Sequence, residues 1–239
     1  GQGGTGTGNF NIGTLIGFNA IVTTTGAGAI QINGTGGSGA VASYGVLLQT
    51  AGTQLSSNGG GITINGQGGA ATGDFAVGTY ILQLTVQDLN GGDFSISGTG
   101  GTTGGDIAPG VWFNTSTTNV VTSTGDITVT GTSTDTSNMF NQGIVFGNDA
   151  TINSTSGNVN LIGTASNATY AAIEFDPTNS VTNITTGGDI TATANVGPLN
   201  TPNGIPANAV IDATNNTFNG TVAPGRLIGQ FLMNGNFAM

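Results

Sequence analysis

The chain has no cysteine and no histidine, and Arg226 is the one basic side chain among its 239 residues. Without cysteine there are no disulfides and no thiolate chemistry, and cysteine usage gives no redox compartment. Against that single arginine stand eleven Asp and Glu residues, for a formal charge of −10. Nothing is present to neutralise phosphates or anionic headgroups, which argues against nucleic-acid and membrane-surface partners. One basic residue also leaves trypsin-like proteases a single site, which suits exposure outside a cell. Apolar runs stay short of the roughly 18 residues that would suggest a membrane span, so no membrane insertion is expected. Neither an initiator Met nor a signal peptide opens the chain, and the expectation is a processed or excised piece of an exported protein.

Charge and proline, the usual means by which disordered chains resist condensing, are both scarce: charged residues make up 5% and there are 6 prolines. Glycine is abundant, at 45 positions, with Thr, Asn, Ser and small aliphatics making up most of the rest. An apolar fraction of 36% can build a core only if it is regularly spaced, and the expectation is an ordered all-β protein.

The spacing is regular. Gly-x-apolar-x-apolar recurs as GAIQING (28–34), GGITING (60–66), GDFSISG (92–98), GDITVTG (125–131), GNVNLIG (157–163) and GDITATA (188–194). The first apolar residues, Ile30, Ile62, Phe94, Ile127, Val159 and Ile190, are 32, 32, 33, 32 and 31 apart. A second phrase keeps step: GVLLQ (45–49), GTYILQ (78–83), GVWFN (110–114), GIVFG (143–147) and AIEFD (172–176). A third, looser segment precedes each first phrase by about seven residues, at Leu55, Val120 and Ile152.

Three short β-prone segments per period of about 32 residues, separated by turn residues, predict one coil of a parallel β-helix with three strand faces. About seven coils are expected. A single coil cannot bury its inward residues, whereas stacked coils align them in columns. The first-face column would be Ile30/Ile32, Ile62/Ile64, Phe94/Ile96, Ile127/Val129, Val159/Leu161 and Ile190/Ala192. Its outward side would be a polar, uncharged ladder. The glycines are expected at turns needing positive φ, and Asp93, Asp126 and Asp189 at one coil corner, where turn hydrogen bonding is a simpler reading than calcium. The whole of 1–239 reads as a single repeat domain. The period breaks at 197–208, expected to be a loop insertion, and a distinct C-terminal segment, 209–239, resumes it weakly.

GDITVTG, GNVNLIG and GDITATA resemble the secreted bacterial β-strand-repeat proteins of the filamentous-haemagglutinin and autotransporter-passenger class, over roughly residues 28–196. The resemblance implies a right-handed β-helix, export, and adhesive or structural duty at a surface.

Catalysis finds little to work with. General-base choices reduce to Asp and Glu, and the one close pair, Glu174 and Asp176, two apart on a strand, reads as a solvated face rather than a glycosidase pair. No phosphate loop or cofactor motif is present, because glycine pairs such as Gly100-Gly101 lack the following Lys and helix. Asn-x-Ser/Thr triplets at Asn33, Asn114, Asn153, Asn167, Asn183, Asn215 and Asn219 are what an Asn- and Thr-rich composition produces, glycosylated or not. Thr128/Thr130 and Thr191/Thr193 raise ice binding as a further alternative.

The second face breaks alternation, since Leu47, Tyr80 (or Ile81), Trp112 and Val145 would form an outward apolar stripe. Such a stripe is covered either by a loop of the same chain or by a partner. At the ends, Phe10, Ile12, Leu15 and Ile16, with Leu227, Ile228, Phe231 and Leu232, are candidates for end-to-end contact, and contacts of that kind that do not close give filaments. The sequence therefore reads as a non-enzymatic, extracellular or cell-surface structural protein whose partner is itself. An adhesin stalk or carbohydrate-binding β-helix, engaging glycans or a host surface, is the alternative.

Overall fold

The structure is a computed structural model, and it describes residues 1–114, 119–136, 140–147, 150–167, 170–175, 182–196, 210–219 and 232–238. Among these residues every regular element is a β-strand, every ladder is parallel, and no helix occurs. The chain winds as a parallel β-solenoid of about five turns with a period of about 32 residues, so the seven coils expected are not confirmed.

The first face comprises Ile30–Thr35, Ile62–Gln67, Phe94–Thr99, Ile127–Thr132, Val159–Thr164 and Asp189–Asn195. Its register pairs Ile30 with Ile62, Ile62 with Phe94, Phe94 with Ile127, Ile127 with Val159 and Val159 with Ile190, which are the columns the repeat predicts. Strict alternation of buried and less buried residues follows, because successive side chains on a strand point to opposite faces. The second face is a six-stranded sheet running from Thr14–Ile16 to Ile173–Phe175. The third, Ile21–Thr23 through Asn183–Thr186, is joined to the first by Val210–Asn219. This strand pairs with both faces and makes them one sheet of 14 strands.

One third-face expectation shifts by a residue. Leu55 and Val86 pair, and the partner of Val86 and Ile152 is Val121, while Val120 pairs with Thr85 and Thr151. The corner between third and first faces varies in length, so a fixed offset of seven cannot locate the column there.

Inward residues of all three faces form a single apolar core, including Leu48, Phe94, Phe113, Ile127, Phe146 and Phe175. The glycines serve a purpose other than the one expected. Positive φ among described glycines is confined to Gly52, Gly59, Gly61 and Gly91. The glycine that ends five of the six first phrases sits instead within a strand, pointing inward; the sixth ends in Ala194. A Cβ on Gly34, Gly66, Gly98, Gly131 or Gly163 would lie 2.0–2.1 Å from the carbonyl oxygen of Gly45, Gly78, Gly110, Gly143 or Ala172. First and second faces therefore touch backbone to backbone at this corner. The pinch closes the core and leaves a thin wing beyond it, in which Ala71, Ala76 and Ala108 form a small cluster of their own.

Candidate functional site

The outward stripe on the second face is brought together. Leu15, Leu47, Tyr80, Trp112, Val145 and Glu174 are successive register partners, with Ile81 turned into the core. It is not a bare surface. Leu47, Tyr80 and Val145 are buried and Trp112 is half-buried. Residues of the same chain beside the pinch, Ala42, Tyr44, Val77 and the partly buried Phe75, pack with it as a second apolar cluster. The ring centroids of Tyr44 and Tyr80 are 5.1 Å apart, those of Tyr80 and Trp112 5.0 Å, and Phe75 stacks on Trp112 at 6.4 Å and 12°. Such pairs add to stability beyond the area they bury. The Asn114 Nδ2 donates to the Tyr80 hydroxyl at 2.8 Å. Burial pushes the Tyr80 phenol above its ordinary range against that hydrogen bond, and burial aided by Tyr80 does the same to Tyr44. Both rings thus stay neutral. Sequence reasoning missed Tyr44 and Phe75, which precede the second phrase by irregular steps.

A shallow pocket at the end of the stripe is lined by Pro109, Trp112, Phe140, Val145 and Glu174. Phe140 is 47% exposed there, and the Glu174 carboxylate accepts a hydrogen bond from the Gln142 side chain. Asp176, the other half of the expected carboxylate pair, lies outside the described residues.

Four of the described aspartates act as ladder acceptors. Asp93 and Asp126 accept the backbone N–H of Asp126 and Asn158 in the next coil at 2.9 and 2.7 Å, and Asn158 does the same for Asp189 at 3.0 Å. Asp74 and Asp135 likewise accept from Asp106 and Thr103, at 2.8 and 2.7 Å. At the corner of Asp93, Asp126 and Asp189 these bonds thus join one coil to the next, where bonding within the turn was expected. Among the described residues no group of three or more carboxylates or other ligands could hold a metal ion. The polar face forms ladders too, with Asn65 donating to Asn33 at 2.9 Å and Ser97 to Asn65 at 2.7 Å. The threonine pairs are not adjacent: Asn160 lies between Thr128 and Thr191, and Ile162 between Thr130 and Thr193, which interrupts the flat array an ice-binding face would need.

At the N-terminal end, Phe10 is 73% exposed and Leu15 is also exposed, while Ile12 and Ile16 are partly buried against the two apolar clusters. Phe18 at 76% and Ile21 at 67% join this end. No periodic phrase contains Phe18, so spacing could not find it. Thr14–Ile16, Ile21–Thr23 and Ile30–Thr35 are terminal strands of their sheets. On the far side of Ile30–Thr35, Gly1–Gly3 cover the end of the strand: the Gly1 amino group donates to the Asn33 carbonyl at 2.7 Å, Thr35 N–H donates to Gly1 at 3.0 Å and Gly3 N–H to Thr35 at 2.8 Å. Of the C-terminal candidates, Leu227, Ile228 and Phe231 lie outside the described residues, as does the 197–208 segment. Leu232 begins the strand Leu232–Ala238, at the register position of Val210.

Comparisons with family models, with curated proteins and with solved structures found no match.

Proposed function

We propose that this chain is an extracellular structural protein, a right-handed β-solenoid that stacks end to end into a filament or surface fibre. Right-handed winding is the sense that nearly all parallel strand connections take. The observation that carries the assembly reading is one column of register that reaches both ends. Ile30 leads through Ile62, Phe94, Ile127, Val159 and Ile190 to Asn216 and then Phe237. The Gly235–Met239 phrase, GNFAM, also echoes GDFSI at 92–96. A second copy presenting Phe237 and Ala238 to the open edge at Ile30 and Gln31 continues the same ladder, and an unpaired strand edge is a ready template for another chain. The scarcity of charge and the resemblance to secreted β-strand-repeat proteins support the same reading and the surface location.

Electron microscopy of the purified chain at micromolar concentration should show unbranched fibres. Stacking in this register also predicts that Gln31→Cys and Ala238→Cys variants, mixed and oxidised, give an intermolecular disulfide. Neighbouring strands stand about 4.8 Å apart, within disulfide reach, and the chain has no other cysteine. Dispersed rods would sink the polymer reading, whereas fibres without the cross-link would mean another register.

A second reading, an adhesin stalk or carbohydrate-binding solenoid, is favoured by Trp112 beside the exposed Phe140 and the Glu174 carboxylate. It expects glycan-array binding that Trp112→Ala abolishes while assembly persists. Array binding retained by that variant would dismiss the pocket.

A further inference from the structure

Where the third face turns into the first, each coil closes its corner with one side chain. Ser57, Asp88, Ser123, Ser154 and Thr186 are successive register partners. A hydroxyl can accept and donate at once, and at Ser123, Ser154 and Thr186 it does both. Ser57, Ser123, Ser154 and Thr186 accept the backbone N–H of Gly60, Gly125, Gly157 and Gly188 at 3.2, 3.0, 2.9 and 3.0 Å. Ser123 and Ser154 donate to the carbonyls of Gly92 and Gly125 in the preceding coil, each at 2.7 Å, and Thr186 donates to that of Gly157. One side chain thus ties its own corner and fastens it to the coil beneath.

In the coil of Phe94 that place is taken by Asp88. It is 0% exposed, and neither carboxylate oxygen has a hydrogen-bond partner. The corner is shaped for it. Asp88 lies six residues before Phe94, whereas Ser57 lies five before Ile62 and Ser123 four before Ile127, so the longer side chain spans the longer corner. Gly92 makes the room, since a Cβ there would come within 2.5 Å of both oxygens. An ionised carboxylate only accepts, so it cannot supply the donor half of the joint, which would go to Gly60, the register equivalent of Gly92. A carboxylic acid has both halves.

The surroundings favour the acid. Burial raises the Asp88 pKa, with the Asp93 charge adding to it; the Gly59 backbone N–H, off hydrogen-bonding geometry, opposes. The flanking strands Gln54–Asn58 and Asn119–Ser123 carry no ionisable side chain, and no basic side chain is present among the described residues.

We propose that Asp88 is a proton-operated latch: as the neutral acid it replaces the serine of the other corners, and on ionising, with its proton released to solvent, it loosens the joint between the coils of Ile62 and Phe94.

The sign follows from linkage. Between the ordinary aspartate range and the raised folded value, the native state holds one more proton than the unfolded state, so stability falls as pH rises. Over that interval the wild type's unfolding constant, relative to a variant without the group, grows about tenfold per pH unit. The experiment is equilibrium denaturation of the full chain from about pH 4 to about pH 8, comparing wild type with Asp88→Ser and Asp88→Asn. Both variants keep a donor and an acceptor without ionising, so the expected result is that each is more stable than wild type at the upper end and that the gap closes on acidification. A gap that is constant with pH, or wild type gaining on the variants as pH rises, overturns the latch. So does stabilisation by millimolar calcium of the wild type but not of Asp88→Ser, which would make the corner a cation site.

Discussion

Gly98→Ala should destroy the fold or cost it more than about 4 kcal/mol, the range in which a single substitution signals a specific steric or buried-polar failure. The added methyl would sit 2.0 Å from the Gly110 carbonyl oxygen, 2.7 Å from its carbon and 2.9 Å from the Thr79 nitrogen. All three are backbone atoms, so no side chain can turn aside. Nor can the backbone give way cheaply, because the Gly110 carbonyl accepts the Thr79 N–H at 2.9 Å while the Gly110 N–H is bound to Gln142 at 3.1 Å. Parting the two faces would break ladder bonds in neighbouring coils as well. The control is Gly26→Ala, at a position with nothing within 4 Å of the new methyl and without positive φ. It should stay within about 0.5 kcal/mol of wild type. Denaturant midpoints measure both, and a Gly98→Ala protein as stable as the Gly26→Ala one would refute the backbone pinch.

The repeated phrase made the first face readable because alternation and period report the same thing. Ile127 and Val129 are inward for the reason any alternate strand residue is, and Ile62, Phe94 and Val159 repeat them at a nearly constant spacing. The third face resisted because its corners absorb length. Leu55 stands seven residues before Ile62, Val86 eight before Phe94 and Val121 six before Ile127, so counting back by seven lands on Val120. The terminal glycine of five of the six phrases was visible, but its reason was not, since the close approach depends on where the second face lies across the coil. The same limit hid Asp88. A lone acid in a polar turn looks solvated in sequence, and only the register against Ser57 and Ser123 shows which group it replaces. The stripe at Leu47, Tyr80, Trp112 and Val145 was legible as broken alternation. What covers most of it, Tyr44 and Phe75, required the wing that the pinch creates.

Phe146→Ala carries the second large effect, an expected loss of about 3–5 kcal/mol, the usual cost of truncating a buried aromatic. The ring is fully buried between Phe113 at 5.1 Å and Phe175 at 5.2 Å, nearly parallel to both at 12° and 16°. Truncation leaves a cavity in the column and removes two stacking contacts, each worth about 0.5–1.5 kcal/mol beyond area. Phe146→Leu should cost much less, about 1–2 kcal/mol, because the same column is aliphatic in earlier coils, at Leu48 and Ile81. The form of the transition is as informative as its midpoint. In a solenoid each coil contacts only its neighbours, so stability is nearly a sum of coil and interface terms. A cavity at Phe146 weakens the interfaces to both adjacent coils, and the coils before Phe113 should outlast those after it as denaturant rises. Fluorescence of Trp112, on the more stable side, should therefore report a later midpoint than circular dichroism of the whole chain. Coincident transitions with a loss under about 1 kcal/mol would mean that the phenylalanine column adds little to the joint between these coils.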